Sequence, residues 1–441
     1  MSESAVKKTE APETAVLALY KKFLGGEQAK APLRSVNQAG IERFELLKFP
    51  HKKHEMYTFV NTHELAGTSF ELAADSPVDT AWVQSQIYPA CRNSVAVFVN
   101  GAFQENLSDL SGLGDSFKIQ CLSEAAADDE IKQILLDLLE NENDVFAAIN
   151  SAFVHHGVWI DIPAKATFEC PVQLLYISTG SASAPVTSHP RLVVQLGETA
   201  ELKVIITYTG TRENYFINAV NDFIIKDGAG VTYTQVQKDA AESWHCSKTR
   251  VQLHRDARFF GRNGSSGSRL TRHHYEVRLK EEGAELYLSG ASVLVNQEQV
   301  HNFVRIHHEA PHCSSNQLFK NVINDKGRSS IDGTVIVNKG AQLTNSDQLI
   351  NNLMLSDEAH ADNKPNLMIF ADDVKCTHGT TVGQINEDQL FYLKTRGLSQ
   401  ELAKSLLTTS FVNSLIQTIP FPDVVADLNE ILLKKLEAKH A

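Results

Sequence analysis

Several signatures of familiar protein classes are missing from this chain of 441 residues. It contains six cysteines but no Cys-x-x-Cys pair, so we expect reduced thiols, most of them small buried apolar side chains, rather than a disulfide framework. There is no G-x-x-x-x-G-K-[ST] motif, and no G-x-G-x-x-G motif follows a strand. These absences exclude a P-loop ATP site and a Rossmann dinucleotide site, so we expect no bound ATP.

Long apolar runs and an excess of basic residues are missing as well. No apolar run approaches the roughly 18 residues that cross a bilayer, and the polar opening residues lack the apolar core of a secretory signal. We therefore expect a cytoplasmic protein with no membrane association. The net charge of −12 provides no basic footprint for nucleic acid. Aromatic residues are only 8% of the chain and do not cluster, which disfavours a carbohydrate-binding groove.

The first 150 residues are interpreted as a mostly helical region. Residues 1–11 are expected to be disordered. Apolar spacing predicts one helix from Glu13 to Leu24, ended by Gly25 and Gly26. A second helix is expected after Asp128 and Asp129, because the residues that follow form a single apolar stripe. That stripe comprises Ile131, Ile134, Leu135, Leu138 and Leu139.

Residues 151–385 have a different pattern. Short apolar or alternating runs follow one another at intervals of about ten residues and are separated by Gly, Asn, Asp and Pro. So many strands cannot form one flat sheet, which leaves a sandwich, a large barrel or a stacked solenoid. The runs lack a consistent Asn-Gly hairpin signal. The pattern therefore favours a mainly β fold whose core is a parallel β-helix, flanked by N-terminal and C-terminal helical regions.

Residues 386–441 are predicted to be helical again. Ser399 is a suitable N-cap, with Glu401 in the first turn. The apolar residues of the helix that follows include Leu402, Leu406, Phe411 and Leu415. A solenoid needs capped ends, so we interpret this stripe first as a cap and second as a docking surface for another protein.

The segment His308-Glu309-Ala310-Pro311-His312 matches the HExxH pattern of zinc peptidases. That chemistry needs the two histidines one helical turn apart, whereas Pro311 interrupts a helix and the preceding residues alternate as in a strand. A metal-dependent hydrolase is therefore kept only as the alternative function. His301, His307, His308, His312 and Cys313 form a wider group, in which His308, His312 and Cys313 are candidate secondary metal contacts. The competing interpretation is a set of polar side chains that line turns.

Cys376 and His378 form a Cys-x-His pair. On a strand both side chains point to the same face, so a thiolate and an imidazole become neighbours. We expect this arrangement to lower the pKa of the thiol and to offer two ligands for a transition metal. Two ligands do not complete a tetrahedral site, so further ligands have to come from elsewhere or from a partner.

The region from His301 to Gly397 resembles the shared core of the SufB/SufD family of iron–sulfur cluster assembly proteins. The matching positions are Ser315, Gln317, Lys320, Gly333, Gln342, Thr344, Asn351-Asn352-Leu353, Pro365, Asp372-Asp373-Val374, Lys375-Cys376-Thr377-His378-Gly379, Phe391-Tyr392-Leu393 and Arg396-Gly397. Weaker similarity extends to AINSAFVHHGVWIDIP and HPRLVVQLGETAEL upstream. The His378-Gly379 step resembles the SufD branch of the family rather than the SufB branch.

The resemblance implies a right-handed parallel β-helix and a non-enzymatic scaffold subunit. It implies a complex with a SufB paralogue and two copies of the SufC ATPase. It also implies a nascent iron–sulfur cluster, or iron, held transiently at the SufB–SufD interface near Cys376 and His378. The ATPase is expected to dock on residues 386–441. Apart from the resemblance, unpaired end coils and strand edges of a solenoid favour a homodimer of the isolated chain when SufB is absent.

Overall fold

The computed structural model of the protein describes residues 12–437, except 27–28, 52–53, 75, 115 and 182. The segment 1–11, expected to be disordered, lies outside the described residues. Two sheets form the body of the molecule, and helices cover parts of their outer faces. The N-terminal helices are α1 Pro12–Gly25, α2 Arg34–Leu47, α3 His63–Gly67, α4 Thr80–Ser85, α5 Leu122–Ala125, α6 Asp129–Glu140 and α7 Val145–Phe153. The four strands among them are β1 Glu71–Leu72, β2 Val95–Val99, β3 Ala102–Phe103 and β4 Lys118–Cys121.

From Val158 to Gly383 the strands alternate between the two sheets, except that the consecutive strands Val186–Ser188 and Arg191–Leu196 lie in the same sheet. Sheet A continues with β5 Val158–Ile162, β7 Val186–Ser188, β8 Arg191–Leu196, β10 Tyr215–Ile225, β12 Trp244–Leu253, β14 Leu270–Leu279, β16 Gln299–His308, β18 Arg328–Val337 and β20 His360–Ile369. Sheet B continues with β6 Val172–Ser178, β9 Glu201–Gly210, β11 Gly230–Lys238, β13 Arg258–Ser265, β15 Glu285–Leu294, β17 Ser314–Ile323, β19 Thr344–Met354 and β21 Val374–Gly383.

Parallel pairing of successive coils makes this region a β-solenoid. Strand β12 pairs in parallel with β10 on one side and with β14 on the other, without a register slip. Parallel neighbours cannot be joined by a tight hairpin, so the chain crosses to the other sheet before it returns. This connectivity explains why residues 151–385 lack a consistent Asn-Gly hairpin signal, and it confirms the prediction of a mainly β fold with a parallel β-helix core and helical flanks.

One column of inward side chains changes from apolar to polar along the axis of the solenoid. At one inward position of sheet B the side chains of Leu202, Val231, Phe259 and Leu286 lie on successive strands, and all four are buried. The same position continues through Ser315 and Ser346 to Cys376. The column is therefore apolar in the early coils and polar in the last coils.

Buried ion pairs fix the N-terminal helical layer to the outer face of sheet A. Asp144, the N-cap of α7, forms an ion pair with Arg272 of β14 at 2.5 Å and a hydrogen bond with the neutral imidazole of His274 at 2.6 Å. Glu142 lies 2.7 Å from Lys248 of β12. These side chains are almost fully removed from solvent, and each charge has a partner of opposite sign. Breaking one partner of such a pair leaves an uncompensated buried charge.

The sheets also draw on residues within the region 1–150. Strand β2 pairs in parallel with β6 in sheet B, and β4 pairs in an antiparallel manner with β5 in sheet A. The C-terminal helices are α8 Glu387–Thr395, α9 Gln400–Ile416 and α10 Pro422–Glu437. Ser399 is the N-cap of α9, as expected, and its hydroxyl accepts a hydrogen bond from the Leu402 amide at 3.2 Å.

Candidate functional site

The solenoid ends in two edge strands, β20 and β21, which we call the open end. Each has ten residues and pairs with one neighbour only among the described strands, so a row of backbone groups remains available for pairing. Large apolar side chains are exposed on or beside these strands, namely Leu343, Leu349, Met368, Ile369, Phe370 and Val382. An edge of this length with exposed apolar side chains is typical of a surface that pairs with another chain.

Cys376 and His378 lie on β21 at the open end. Cys376 pairs in register with Ser346, and His378 pairs with Gln348. Because side chains alternate along a strand, both belong to the inward face. Cys376 is half-buried and packs against the main core, whereas His378 is exposed. The last coil therefore presents a thiol and an imidazole where the interior of the solenoid reaches solvent.

A polar column lies directly behind this pair. The hydroxyl groups of Ser315 and Ser346 are 2.9 Å apart, and the Gln348 amide donates to Gln317 at 3.4 Å. Ser315 also lies 2.9 Å from Nε2 of His308. The column brings hydrogen-bonding groups up to the inner side of Cys376, where the earlier coils have only apolar side chains.

The expected low pKa of Cys376 is wrong. Burial raises the pKa of this thiol above its ordinary value, and a backbone hydrogen bond at Ser346 opposes that shift only in part. The sequence spacing identified the neighbouring imidazole but not the partial burial of the sulfur. Cys376 is consequently a neutral thiol at neutral pH, and binding of a metal ion or a cluster has to displace its proton.

His308, His312 and Cys313 do not form one ligand set in the described part of the chain. His308 is the last residue of β16, is fully buried and contacts Ser315, while burial lowers its pKa to about 4. His312 lies in the following turn with its side chain 54% exposed, and the buried sulfur of Cys313 donates to the Glu281 carbonyl at 3.2 Å. The helical geometry of a zinc peptidase is absent from this segment, since it consists of a strand end and a turn.

His301 likewise belongs to the packing of sheet A. Its Nδ1 lies 2.7 Å from the hydroxyl of Ser330 and its Nε2 lies 3.1 Å from Gln299. Burial lowers its pKa to about 3. This histidine is therefore neutral and fully hydrogen-bonded, as the interpretation of the group as structural side chains predicts.

The four predicted docking residues of the C-terminal region have different environments. Leu402 and Leu406 are 49% and 44% exposed on α9, whereas Leu415 is buried against sheet B. Phe411 is half-buried, with the ammonium group of Lys320 5.1 Å from its ring centroid. One side of α9 therefore packs on the outer face of sheet B and not over the end of the solenoid, and Leu402 and Leu406 on another side remain exposed.

The sequence pattern missed two features, one on the C-terminal helices and one at the end of the solenoid opposite to the open end. Phe391 and Tyr392 of α8 are 69% and 55% exposed, and their adjacent positions give no amphipathic spacing that would indicate a binding surface. Cys121 is a second case: hydrogen bonding to His156 is the main cause that lowers its pKa to about 7. No sequence motif links these two residues, because they meet only when β4 pairs with β5.

Among the described residues, no helix combines the length and the apolar composition needed to cross a bilayer.

Comparisons with known proteins give consistent matches over almost the whole chain. Residues 176–411 match a family described as SUF system FeS cluster assembly, SufBD core domain, and residues 13–174 match one described as SufBD protein N-terminal region. An iron–sulfur cluster assembly SufBD family protein of Synechocystis is 29% identical over 89% of this chain and 89% of its own length. The iron–sulfur cluster assembly protein SufD of Escherichia coli is 28% identical over 89% of this chain and 88% of its own length.

Proposed function

The chain belongs to the SufBD family of iron–sulfur cluster assembly proteins, and from this premise we propose that it is a SufD-type scaffold subunit without ATPase activity. In this proposal it forms a cytoplasmic complex with a SufB paralogue and the SufC ATPase. The observation that carries the proposal is the open end, where unpaired strand edges and exposed apolar side chains coincide with Cys376 and His378.

The SufB paralogue would pair with the open end. An edge of two ten-residue strands offers both backbone hydrogen bonds and apolar contact area. Pairing there would cover Phe370 and Val382, which are otherwise largely exposed. When the paralogue is absent, the same edge would bind a second copy of this chain.

The cargo of this interface is proposed to be iron or a nascent iron–sulfur cluster. Thiol and imidazole groups are suitable ligands for iron, and Cys376 and His378 share one face of β21. Two side chains do not fill the coordination sphere of a metal ion. A cysteine of the SufB paralogue would supply a further ligand, so cluster assembly would depend on the complex.

The ATPase is proposed to bind the exposed side of α8 and α9. Leu402 and Leu406 would form the apolar centre of this surface, with Phe391 and Tyr392 beside them. Lys320 of β17 supports a mechanical link to the solenoid, because its ammonium group donates to the Phe411 carbonyl at 3.2 Å and to the Ser414 hydroxyl at 2.5 Å. Closure of two ATPase subunits would then displace β17, which is separated from β21 by one strand in sheet B.

Cluster yield in the reconstituted complex tests the cargo site. We expect His378→Ala and Cys376→Ser each to lower the amount of assembled cluster about tenfold or more, since each removes one ligand. The matched control is Thr380→Ala, an exposed position on the same face of β21 that carries no metal ligand. Normal cluster yield from the His378→Ala complex would reject the site assignment.

Two surface variants test the assignment of the partners. We expect Leu402→Glu combined with Leu406→Glu to lose the ATPase and to retain the SufB paralogue during co-purification. Val382→Glu at the open end should have the opposite effect. Mass determination of the purified complexes distinguishes the two outcomes, and loss of both partners in both variants would contradict separate docking surfaces.

A further inference from the structure

Three turns that follow successive strands of sheet A lie directly beside one another. Ile225, Leu253 and Leu279, the last residues of β10, β12 and β14, pair in register. Backbone hydrogen bonds continue beyond the strands, from the His254 amide to the Ile225 carbonyl at 3.1 Å and from the Lys280 amide to the Leu253 carbonyl at 2.9 Å. Equivalent positions in adjacent turns are therefore held about 4.8 Å apart, the spacing of paired strands.

Each of these turns carries one side chain that can bind a metal ion. Asp227, His254 and Glu281 each place one ligand atom so that all three atoms lie within 4.8 Å of one another. The Nδ1 atom of His254 is 2.9 Å from a carboxylate oxygen of Glu281, close to the roughly 3 Å between two ligand atoms that share an ion at bond lengths of about 2.1 Å. In the described ranges this is the only such group of three or more side chains.

Among the described residues no lysine or arginine forms a close ion pair with the carboxylate of Asp227 or Glu281. The pKa of Glu281 is nevertheless lowered, first by its hydrogen bond to His254 and in smaller part by the charge of Arg255. Arg255 pairs with Glu282 at 2.9 Å, although it adjoins His254 in the sequence. Glu281 has His254 as its ion-pair partner. Two carboxylates beside one imidazole, with no lysine or arginine side chain bonded to them, form an arrangement that a divalent ion stabilises.

We propose that Asp227, His254 and Glu281 bind one divalent first-row transition-metal ion. One imidazole nitrogen and two carboxylate oxygens suit ions such as Zn²⁺, Mn²⁺ or Fe²⁺ and are a poor set for thiophilic ions. Water completes the coordination on the outer side, where Asp227 is exposed. The ion links three successive coils, and its ligands lie in the turns that follow β10, β12 and β14 rather than in the last coil with Cys376 and His378.

Titration of the full chain with Co²⁺ tests this proposal, because thiolate ligation gives Co²⁺ a strong charge-transfer absorption that nitrogen and oxygen ligands do not give. The protein carries Cys376→Ser and His378→Ala, so that the proposed cargo site cannot contribute. We expect one Co²⁺ ion per chain without a thiolate band. Glu281→Gln and Asp227→Asn should each weaken binding about tenfold or more.

The matched control is Glu285→Gln, which removes the same charge from an exposed position on β15 and should leave the affinity unchanged. Bound Co²⁺ should also raise the thermal unfolding midpoint of the Glu285→Gln protein more than that of the folded Glu281→Gln protein, because the shift grows with the affinity of the ligand for the native state. Equal affinity in the two glutamate variants, or a thiolate band, would overturn the proposal. Neither result depends on cluster assembly.

Discussion

Cys121 and Cys376 illustrate how the surroundings of a thiol set its acidity. Hydrogen bonding to His156 is the largest cause that lowers the pKa of Cys121 to about 7, and the Ser123 hydroxyl lies 3.1 Å from its sulfur. Burial raises the pKa of Cys91 to about 12 and also raises that of Cys376. Since the thiolate is the reactive form, Cys121 should react before these two thiols.

We expect iodoacetamide at pH 7 to modify Cys121 at least about tenfold faster than Cys376, because about half of a thiol with a pKa near 7 is ionised at that pH. The rate at Cys121 should rise as the pH increases through 7 and then level off. Mass spectrometry of labelled peptides over time measures these rates.

His156→Ala removes the stabilising hydrogen bond and should slow labelling of Cys121 at pH 7. His360→Ala, a change at an exposed histidine on β20, is the control and should leave the rate unchanged. Equal labelling rates in the His156→Ala and unmodified proteins would show that the imidazole does not control this thiol.

For single residues, the sequence predicts on which face of a strand a side chain lies better than it predicts how deeply that side chain is buried. The Cys376-x-His378 spacing was sufficient to assign both side chains to one face of a strand. The raised pKa of Cys376 depends on its partial burial against the core, on β21 beside Ser346 of the preceding coil, which lies 30 positions earlier. No local pattern contains that information.

Helix packing in the N-terminal layer depends on one close approach. A Cβ atom at Gly40 of α2 would lie 2.4 Å from the backbone nitrogen of Ala152 in α7. Atoms of the backbone cannot move aside as the end of a flexible side chain can. The glycine therefore determines how closely the two helices approach.

Gly40→Ala should lower the free energy of unfolding by about 1–3 kcal/mol, the usual cost of overpacking a core. Chemical denaturation measures this change. Gly67→Ala is the matched control, because a Cβ atom at this end of α3 meets nothing within 4 Å. Similar stabilities of the two variants would contradict the steric role of Gly40.

Helices with one polar face were predictable, whereas the buried helix was not. The stripe after Asp128 and the N-cap at Ser399 correspond to α6 and α9. Every residue of α7 from Val145 to Phe153 is buried, so the helix lacks the polar face that produces an amphipathic period. The position of α7 is therefore set by its tertiary contacts and cannot be predicted from an amphipathic pattern in its sequence.

Several neutral histidines are buried in the interior of the molecule. Burial lowers the pKa of His189 and His301 to about 3 and that of His274 and His308 to about 4. In the unfolded chain these groups have pKa values of about 6.5. The unfolded state therefore binds more protons between these values, and the stability of the fold must decrease as the pH falls below about 6.5.

We expect the urea midpoint of unfolding to decrease steadily from pH 7 to pH 5. Each buried histidine contributes up to about 1.4 kcal/mol per pH unit in this range. Urea titrations at several pH values, followed by circular dichroism, measure the slope.

Replacing one buried histidine should reduce that slope by the share of a single group. His301→Gln tests this expectation, and His360→Gln, at an exposed position, should leave the slope unchanged. A midpoint that does not vary between pH 7 and pH 5 would contradict the neutral state of the buried histidines.

At the scale of the molecule, composition and strand spacing were sufficient to predict a β-helix with helical flanks. They could not predict which side chains share a column, because the register between coils is set by turns of unequal length. Asp227, His254 and Glu281 therefore have no common motif, although the stacking of their turns brings them together. The buried contacts of Asp144 with residues of β14 could not be predicted from the sequence either.

The two ends of the solenoid differ in how well their edge strands can pair with another chain. At the opposite end, sheet A finishes with the four-residue β4 and sheet B with the two-residue β3, both antiparallel to their neighbours. Short antiparallel strands are poor templates for another full-length parallel coil. If the open end pairs with a second copy as proposed, the opposite end would offer no further edge for pairing, so association would stop at a dimer and would not continue into fibres.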